Sequence, residues 1–168
     1  MDIFTQKKKR PQDCFQSALN FLKIRDHSKF ELETKLRKKK YSSNEIKEAI
    51  NKCFEYKFLD DEKFAKNYFE IEKRKLNGPL KIRAAFYKKG IDNKITDELI
   101  AKFQESKEEY KIALKFFFKS KYKIDKKEGY NKKAQTYIRI MSQKGFSRSI
   151  VMDIFEHHFS LEYSKPDY

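Results

Sequence analysis

Glycine and proline are scarce in this sequence, with four and three residues among 168. Few positions can form the tight turns of β-hairpins, and the many Lys, Glu, Leu, Ile and Phe residues favour helices joined by short loops. No stretch approaches the roughly 18 uncharged apolar residues of a membrane span, and Met1 to Arg10 lack the apolar core of a signal peptide. We therefore expect an all-α protein that is located in the cytoplasm and has no membrane partner.

Cysteines and the common catalytic motifs are also scarce. Only Cys14 and Cys53 occur, and since they lack metal-ligand spacing we expect two reduced, packed thiols. His157 and His158 are adjacent, so they point in different directions on a helix, and His27 stands alone in a predicted loop. The sequence contains no glycine-rich phosphate loop, nucleophile elbow or HExxH motif. We predict that the protein is not an enzyme and uses no cofactor or metal.

Acidic residues are outnumbered by basic ones, because 25 Asp and Glu face 40 Lys and Arg for a formal net charge of +15. Such an excess attracts polyanions through counterion release, so nucleic acid is the leading class of partner. The alternative is a lysine-rich solvated surface that reflects an AT-rich genome. The apolar share of 39%, with 16 Phe and 10 Tyr, supplies a core and predicts a folded chain.

Signals for the start of a helix recur along the chain as capping boxes, single caps and a proline in a first turn. They are Ser28 to Glu31, Ser42 to Glu45, Asp60, Asp92, Ser147, and Pro79 after Asn77-Gly78. With the apolar spacing they predict nine helices, roughly at residues 12–26, 28–39, 43–57, 60–77, 79–89, 92–105, 107–122, 130–143 and 147–160.

The predicted helices form three copies of one pattern. At the turn between its second and third helices, each copy has an i, i+4 apolar pair, a lysine, a turn residue, an apolar residue and another such pair. The copies are Leu32, Leu36, Lys39, Lys40, Tyr41, Ile46, Ile50; Ile82, Phe86, Lys89, Gly90, Ile91, Ile95, Leu99; and Tyr137, Met141, Lys144, Gly145, Phe146, Ile150, Ile154. Glycine suits the left-handed conformation that closes a helix, whereas Lys40 held there costs on the order of 1 kcal/mol.

A single three-helix copy of this pattern is too small to bury a large hydrophobic core by itself, so neighbouring copies should stack on one another. We predict three-helix repeats at residues 13–59, 60–106 and 107–160, preceded by a flexible basic arm at 1–12 and followed by a frayed tail at 161–168. The expected fold is all-α, with three tandem three-helix repeats that form an elongated, curved nine-helix array.

Two groups of residues form a recognisable pattern. The first repeat and the start of the second contain Ala18 to Leu22, Arg25, Ser28, Glu31, Leu32, Leu36, Phe58 to Asp61, Phe64 and Ala65. Further along the second repeat, Gly78-Pro79-Leu80-Lys81-Ile82 opens a helix that ends in Lys89-Gly90-Ile91. These segments resemble the RecX family of regulatory proteins. The resemblance covers residues from about 14 to 160 and is more diffuse in the third repeat. The sequence departs from the family at Lys40, where glycine is usual, and in the long basic loop of the third repeat.

This resemblance implies a bent molecule that binds the bacterial recombinase RecA. It implies docking in the groove of the RecA nucleoprotein filament and restraint of ATP hydrolysis and strand exchange in DNA recombination, DNA repair and the SOS response. On this basis we expect a monomer that binds the RecA filament and contacts DNA directly.

The densest positive charge lies between Lys111 and Arg148, where twelve basic residues face only Asp125 and Glu128. We predict an electrostatic track for a phosphate backbone or an acidic groove wall. The alternative is a solvated face whose aromatic residues, among them Tyr122 and Tyr130, are core. The candidate contacts here are Lys119, Lys121, Lys123, Lys126, Lys127, Lys132, Lys133 and Arg148.

A second set of candidate lysines lies at equivalent helix C-termini, where repeats in register would align them in one row. Its members are Lys38, Lys39, Lys40, Lys88, Lys89 and Lys144. The alternative is that they only stabilise the helix macrodipole, by about 0.3–1 kcal/mol each. The acidic run at Asp60-Asp61-Glu62 is interpreted as a helix cap and not as a metal site.

Two further functions fit the same sequence. A stand-alone nucleic-acid-binding module needs only the lysines. A protein-interaction scaffold needs only the helical repeats.

Overall fold

The computed structural model describes residues 13–163, which form helices and contain no β-strand. The predicted basic arm at 1–12 and residues 164–168 of the predicted tail lie outside this range. Nine helical segments follow one another along the described residues, which confirms the predicted all-α class. They are α1 Cys14–Leu22, α2 Lys29–Lys38, α3 Ser43–Glu55, α4 Asp61–Arg74, α5 Pro79–Lys88, α6 Asn93–Glu105, α7 Glu108–Asp125, α8 Tyr130–Gln143 and α9 Arg148–Ile154, which continues through a π-helical turn at Phe155–Phe159 into α10 Ser160–Tyr163.

The described chain divides into two compact units, one ending at Phe64 and the other beginning at Ala65. In the first unit α1 packs across α3, and α2 packs against both. Its core buries apolar residues of all three helices, including Ala18 and Leu36. Cys14 and Cys53 form no disulfide and are buried in this core, as the sequence predicts.

The second unit holds α5–α10 and most of α4, with α7 packed against α8 and α9. Phe117 and Tyr137 are fully buried at its centre. The ring of Phe69 makes edge contacts with the rings of Phe86 and Phe103, at centroid distances of 6.1 Å and 5.6 Å. Phe69 therefore joins α4 to α5 and α6. The apolar i, i+4 positions of the repeats therefore form the cores.

The first helix is shorter than predicted, since α1 ends at Leu22 and not near residue 26. The chain leaves the helix because Ser28 is extended (φ −73°, ψ 159°), which lets its hydroxyl accept the Glu31 N–H at 3.1 Å and cap α2. His27 is buried in the connecting turn, where its Nδ1 lies 2.9 Å from the Arg25 carbonyl. The cap of the second helix therefore limits the length of the first.

Two other helix ends differ from the prediction. α4 ends at Arg74 and not at 77, because Leu76 adopts a left-handed conformation with φ 57°. α7 continues to Asp125 and does not stop at 122, because Ser120 and Ile124 extend its buried face by one more turn.

Most of the predicted caps are confirmed. Ser42 and Glu45 form a complete capping box, and Asp92 accepts the Lys94 N–H at 2.7 Å. Pro79 occupies the first turn of α5. Side-chain oxygens thus satisfy the helix N–H groups that lack intrahelical partners.

Ser147 begins α9 as predicted, but its hydroxyl does not cap the helix and lies 3.3 Å from the Ser149 hydroxyl. Its N–H donates to Glu109 Oε1 at 2.8 Å, and Glu109 Oε2 accepts from the Gln104 amide at 3.2 Å. Glu109 is buried. A carboxylate from the start of α7 therefore receives the N–H at the start of α9.

All three turn residues of the repeat pattern are left-handed, with φ 63° at Lys40, 64° at Gly90 and 79° at Gly145. The same conformation recurs at Lys57 and Lys107, after α3 and α6, with φ 56° and 58°. Non-glycine residues in this region carry a strain of about 1 kcal/mol each, so the helix ends are held there by the surrounding structure.

Candidate binding surface

Two glycines bring the predicted second and third repeats into direct backbone contact. The Gly78 N–H donates to the Lys144 carbonyl at 2.8 Å, and the Leu80 N–H donates to the Gly145 carbonyl at 3.0 Å. Free N–H groups at the start of α5 thereby satisfy free carbonyls at the end of α8. This junction positions the side chains around it.

Lys144 is partly buried at the junction. Its Nζ donates to the Lys75 carbonyl at 2.8 Å and to Asn77 Oδ1 at 3.2 Å, and it lies 5.2 Å from the centroid of the Phe116 ring. Burial lowers the pKa of Lys144. Lys144 therefore differs from the exposed contact expected of it, since its ammonium is engaged by the chain that follows α4.

Three further lysines lie near enough to Lys144 for their charges to lower its pKa, and we call Lys81, Lys119 and Lys123 the junction lysines. After burial, their charges are the next cause of the lowered pKa of Lys144, while Glu72 acts in the opposite direction. Lys119 and Lys123 lie one turn apart on α7, and all three side chains are exposed. The packing of the junction thus concentrates like charges, which is a favourable arrangement for binding an anion.

Lys81 is not among the predicted contacts, because it lies neither in the basic segment between residues 111 and 148 nor at a helix C-terminus. Lys81 stands in the first turn of α5, and its Nζ lies 3.3 Å from the Gln143 carbonyl at the end of α8. The feature of the sequence that could have pointed to Lys81 is its position within the Gly78 to Ile82 segment, which carries the family resemblance. Only the tertiary contact between α5 and α8 brings it to the lysines of α7.

The other predicted lysines of α7 have different surroundings. Lys121 forms an ion pair with Glu162, so its charge is already compensated. Tyr122 is 56% exposed, and its ring centroid lies 5.7 Å from Lys123 Nζ and 5.8 Å from Lys126 Nζ. An exposed ring between two ammonium groups resembles the aromatic and basic pairs that bind single-stranded nucleic acid.

The rest of the third-repeat candidates lie beyond the junction. Tyr130 is 40% exposed, and its ring centroid lies 5.8 Å from that of the buried Phe159, so it packs against the edge of the core. Lys133 is partly buried. The exposed members are Lys126, Lys127, Lys132 and Arg148.

Besides Lys144, the predicted row at the helix C-termini has members in both units. Lys39 belongs to the first unit, with Nζ 5.1 Å from the Phe21 ring centroid. Lys89 belongs to the second unit, with Nζ 5.4 Å from the Tyr68 ring centroid. These cation–π contacts add packing to any role in binding. The other three members, Lys38, Lys40 and Lys88, are exposed.

The acidic run before Phe64 caps helices, as predicted. Asp60 accepts the Lys63 N–H at 2.9 Å at the start of α4. Asp61 accepts the Lys29 N–H at 2.7 Å and so caps α2, a contact that the sequence did not reveal. Burial raises the pKa of the Asp61 carboxyl.

The two adjacent histidines point to separate partners. His157 Nδ1 lies 2.8 Å from the Asp153 carbonyl, and His158 Nε2 lies 3.2 Å from the Tyr110 hydroxyl. No group of three or more metal-binding side chains occurs within residues 13–163. None of the helices in the same range is long and apolar enough to cross a membrane.

Comparison with known proteins identifies the family. A family model described as "RecX, first three-helix domain" matches residues 14–53, within α1–α3. The protein named regulatory protein RecX in Legionella pneumophila is 31% identical over 143 residues, which cover 85% of this chain and 93% of that protein. The chain belongs to the RecX family. A RecX protein of Vibrio parahaemolyticus is also 31% identical, over 84% of this chain and 90% of its own length.

Solved RecX structures share the fold. RecX from Lactobacillus salivarius matches with a TM-score of 0.74 at 25% identity, over 85% of this chain and 92% of that one. A second crystal structure of regulatory protein RecX has a TM-score of 0.78 at 20% identity, over 86% of this chain and 72% of that one. The RecX resemblance and the helical repeat fold predicted from the sequence are thus confirmed, and the relatives are regulatory proteins by name.

Proposed function

We propose that this member of the RecX family binds the nucleoprotein filament of the recombinase RecA and restrains its ATP hydrolysis and strand exchange. Family membership carries the proposal, because the similarity to a RecX protein extends over 93% of that relative. We further propose that the protein acts in the cytoplasm as a monomer, and that it works through binding alone, without a cofactor or a reaction of its own.

The charge density of the junction lysines supports this function. Lys81, Lys119 and Lys123 are exposed and lie near the ammonium of Lys144. A nucleic acid that contacts them releases condensed counterions, and any polyanion relieves the repulsion among them. We therefore propose that the filament is contacted at this surface, through DNA phosphates or through an acidic protein wall.

Other exposed basic residues extend the proposed surface. Lys121 contributes least, because Glu162 compensates its charge, and Lys144 acts mainly by fixing the junction. The further proposed contacts are Lys38, Lys39, Lys88, Lys89, Lys126, Lys127, Lys132, Lys133 and Arg148.

The test is a titration of this protein into the cognate RecA assembled on single-stranded DNA, with ATP hydrolysis as the readout. We expect the rate of hydrolysis to fall, and to fall less at about 200 mM than at about 50 mM salt, because counterion release weakens the interaction. An unchanged rate at stoichiometric excess would overturn the proposed function.

Charge-reversal variants locate the contact. Lys119→Glu combined with Lys123→Glu should abolish most of the inhibition, since it reverses two of the junction lysines. The matched control is Lys94→Glu combined with Lys102→Glu, which makes the same charge change at two exposed positions of α6. Equal losses in both variants would show that net charge alone drives binding and that the junction has no special role.

A stand-alone nucleic-acid-binding module is the second candidate function, favoured by the exposed ring of Tyr122 between Lys123 and Lys126. Fluorescence anisotropy with a labelled single-stranded oligonucleotide distinguishes the two. Tight oligonucleotide binding at physiological salt, together with no effect on RecA, would favour this candidate.

A further inference from the structure

A groove in the first unit involves none of the junction lysines, which belong to the second unit. It runs between α2 and α3, is open to solvent and has a volume of about 350 Å³. One stripe of α2 forms its first wall, and one stripe of α3 forms its second wall and its floor. The lining residues are Lys29, Glu33, Arg37, Ser43, Ile46, Lys47, Ile50 and Asn51.

The floor of the groove is apolar and rigid. Ile46 and Ile50 are 5% and 2% exposed and belong to the buried core of the unit. The N-terminal end of the groove is held as well, because the Lys29 N–H donates to Asp61. An apolar floor within a preformed cavity of this size is typical of sites that receive an apolar side chain.

The rim of the groove is basic. It carries Lys29, Arg37 and Lys47 against the single carboxylate of Glu33. Within the described residues, no hydrogen bond, ion pair or ring contact engages the side chains of Arg37 and Lys47.

Some other cations of the same unit do have such partners. Arg25 pairs with Glu31 at 3.0 Å, and Lys35 lies 4.8 Å from the Phe21 ring centroid. Arg37 and Lys47 therefore keep an uncompensated charge at the rim of the groove, where it complements a negatively charged ligand.

We propose that this groove binds an acidic protein segment, with one apolar side chain on the Ile46 and Ile50 floor and flanking carboxylates on Arg37, Lys47 and Lys29. Of the two polyanions that such charges attract, a peptide fits better than nucleic acid. A phosphate backbone gains nothing from an apolar floor, whereas burying one leucine side chain strengthens binding about tenfold or more. The surface goes beyond the proposed RecA function, because its residues are different and its ligand must carry an apolar side chain between the carboxylates.

The experiment uses the full chain and a fluorescein-labelled synthetic peptide, Glu-Asp-Glu-Asp-Leu-Glu-Asp-Glu-Asp, with fluorescence anisotropy as the readout. Because a protein of charge +15 attracts any acidic peptide, a second peptide with glycine in place of the leucine measures the non-specific part. We expect the leucine peptide to bind about tenfold more tightly than the glycine peptide.

Two variants test the place of binding. Arg37→Gln with Lys47→Gln should weaken the leucine peptide about fivefold, from two exposed ion pairs of about 0.5 kcal/mol each. Asn51→Trp should remove the preference for leucine by filling the groove without changing the charge. The control, Lys23→Gln with Lys52→Gln, removes the same charge from exposed positions of the same unit outside the groove and should retain the preference.

Circular dichroism verifies that each variant is folded, and the exposed positions of Arg37, Lys47 and Asn51 make loss of the fold unexpected. Equal binding of the two peptides would overturn the proposal, and so would equal weakening by the groove and control variants. If Arg37→Gln with Lys47→Gln reduces binding of a single-stranded oligonucleotide and leaves the peptide unchanged, the groove is a nucleic-acid surface and the proposal is wrong. None of these outcomes depends on RecA, so this proposal and the proposed function can fail separately.

Discussion

Gly78 and Gly145 pack backbone against backbone, so closely that neither can carry a side chain without a shift of the chain. A Cβ atom on Gly78 would lie 2.5 Å from the carbonyl carbon and oxygen of Gly145, and a Cβ atom on Gly145 would lie 2.4 Å from the Lys81 nitrogen. The contact holds the start of α5 against the end of α8. It also sets the positions of Lys81 and Lys144 in the junction.

Alanine at either glycine should therefore destabilise the second unit. For Gly78→Ala we expect a loss of about 2–3 kcal/mol in the free energy of unfolding, because backbone atoms must move to admit the methyl group. Gly129→Ala is the comparison, since Gly129 has no atom within 4 Å of its added Cβ, although its φ of 76° is left-handed whereas that of Gly78 is −84°. It should cost only about 1 kcal/mol of left-handed strain. Urea unfolding measures both, and equal losses would show that the close approach is unimportant.

Lys40→Gly should stabilise the first unit. Lys40 is exposed and left-handed with φ 63°, the conformation that Gly90 adopts in the next repeat with φ 64°. Removing the side chain relieves the strain, for an expected gain of about 1 kcal/mol. Lys38→Gly, in the last turn of α2, is the comparison variant and should lose about 0.5–1 kcal/mol. Thermal unfolding of the two variants tests the signs, and a loss at Lys40 would contradict the prediction.

Stability of the first unit should depend on pH through His27. The ring is buried, and its Nε2 has no hydrogen-bond partner among the described residues. Burial lowers the pKa of His27, as do the charges of Arg25 and Lys35, against the opposing hydrogen bond to the Arg25 carbonyl. Protonation consequently favours the unfolded chain. The stability is complete above the unfolded pKa of about 6.5 and declines as the pH falls below it toward the folded value.

The measurement for His27 is the free energy of unfolding between about pH 7.5 and 5.5, a window that brackets the unfolded pKa. His27→Gln should remove a large part of the decline, because it removes the titrating ring. The exposed His157 supplies the control, and His157→Gln should keep the decline. Parallel pH curves for wild type and His27→Gln would show that another group is responsible.

Glu109→Ala should destabilise the second unit by about 1–3 kcal/mol, because it leaves the partly buried Ser147 N–H and the Gln104 side-chain amide without their acceptor. Glu109→Gln keeps one acceptor oxygen and should lose less. The comparison is Glu105→Ala, at an exposed position near the end of α6. Chemical denaturation tests the order, and a neutral Glu109→Ala would show that water replaces the carboxylate.

Salt dependence should distinguish the junction lysines from the other lysines of α7. Lys119→Gln with Lys123→Gln should reduce the slope of log affinity for a single-stranded oligonucleotide against log salt by about 1.4, or about 0.7 for each lost phosphate contact. Lys121→Gln should leave the slope nearly unchanged, because Glu162 already pairs with that ammonium. A similar change in both variants would indicate that the charges act only through the net charge of the protein.

Local rules account for what could be predicted from the sequence. A cap such as Ser42 with Glu45, a proline at the start of α5, or a left-handed residue after a helix depends on neighbours three to six positions away. The nine helices, the repeated turn at Lys40, Gly90 and Gly145, and the positive third repeat were visible for that reason. At Ser147 the predicted start of α9 is confirmed, but the predicted cap by its side chain is wrong, because its hydroxyl caps no helix N–H.

Tertiary structure decided which of these residues act together. In the sequence Lys144 is a lysine at a helix C-terminus like the others, and only the fold shows that its ammonium donates to the Lys75 carbonyl. Lys81 lies near the lysines of α7 only because the backbone contacts at Gly78 and Gly145 hold α5 against α8. The groove between α2 and α3 likewise depends on how two helices pack. Composition determined that the chain is helical and positively charged, because propensity and charge belong to each residue. The placement of that charge belongs to pairs of residues far apart in the chain, which only close packing brings into contact.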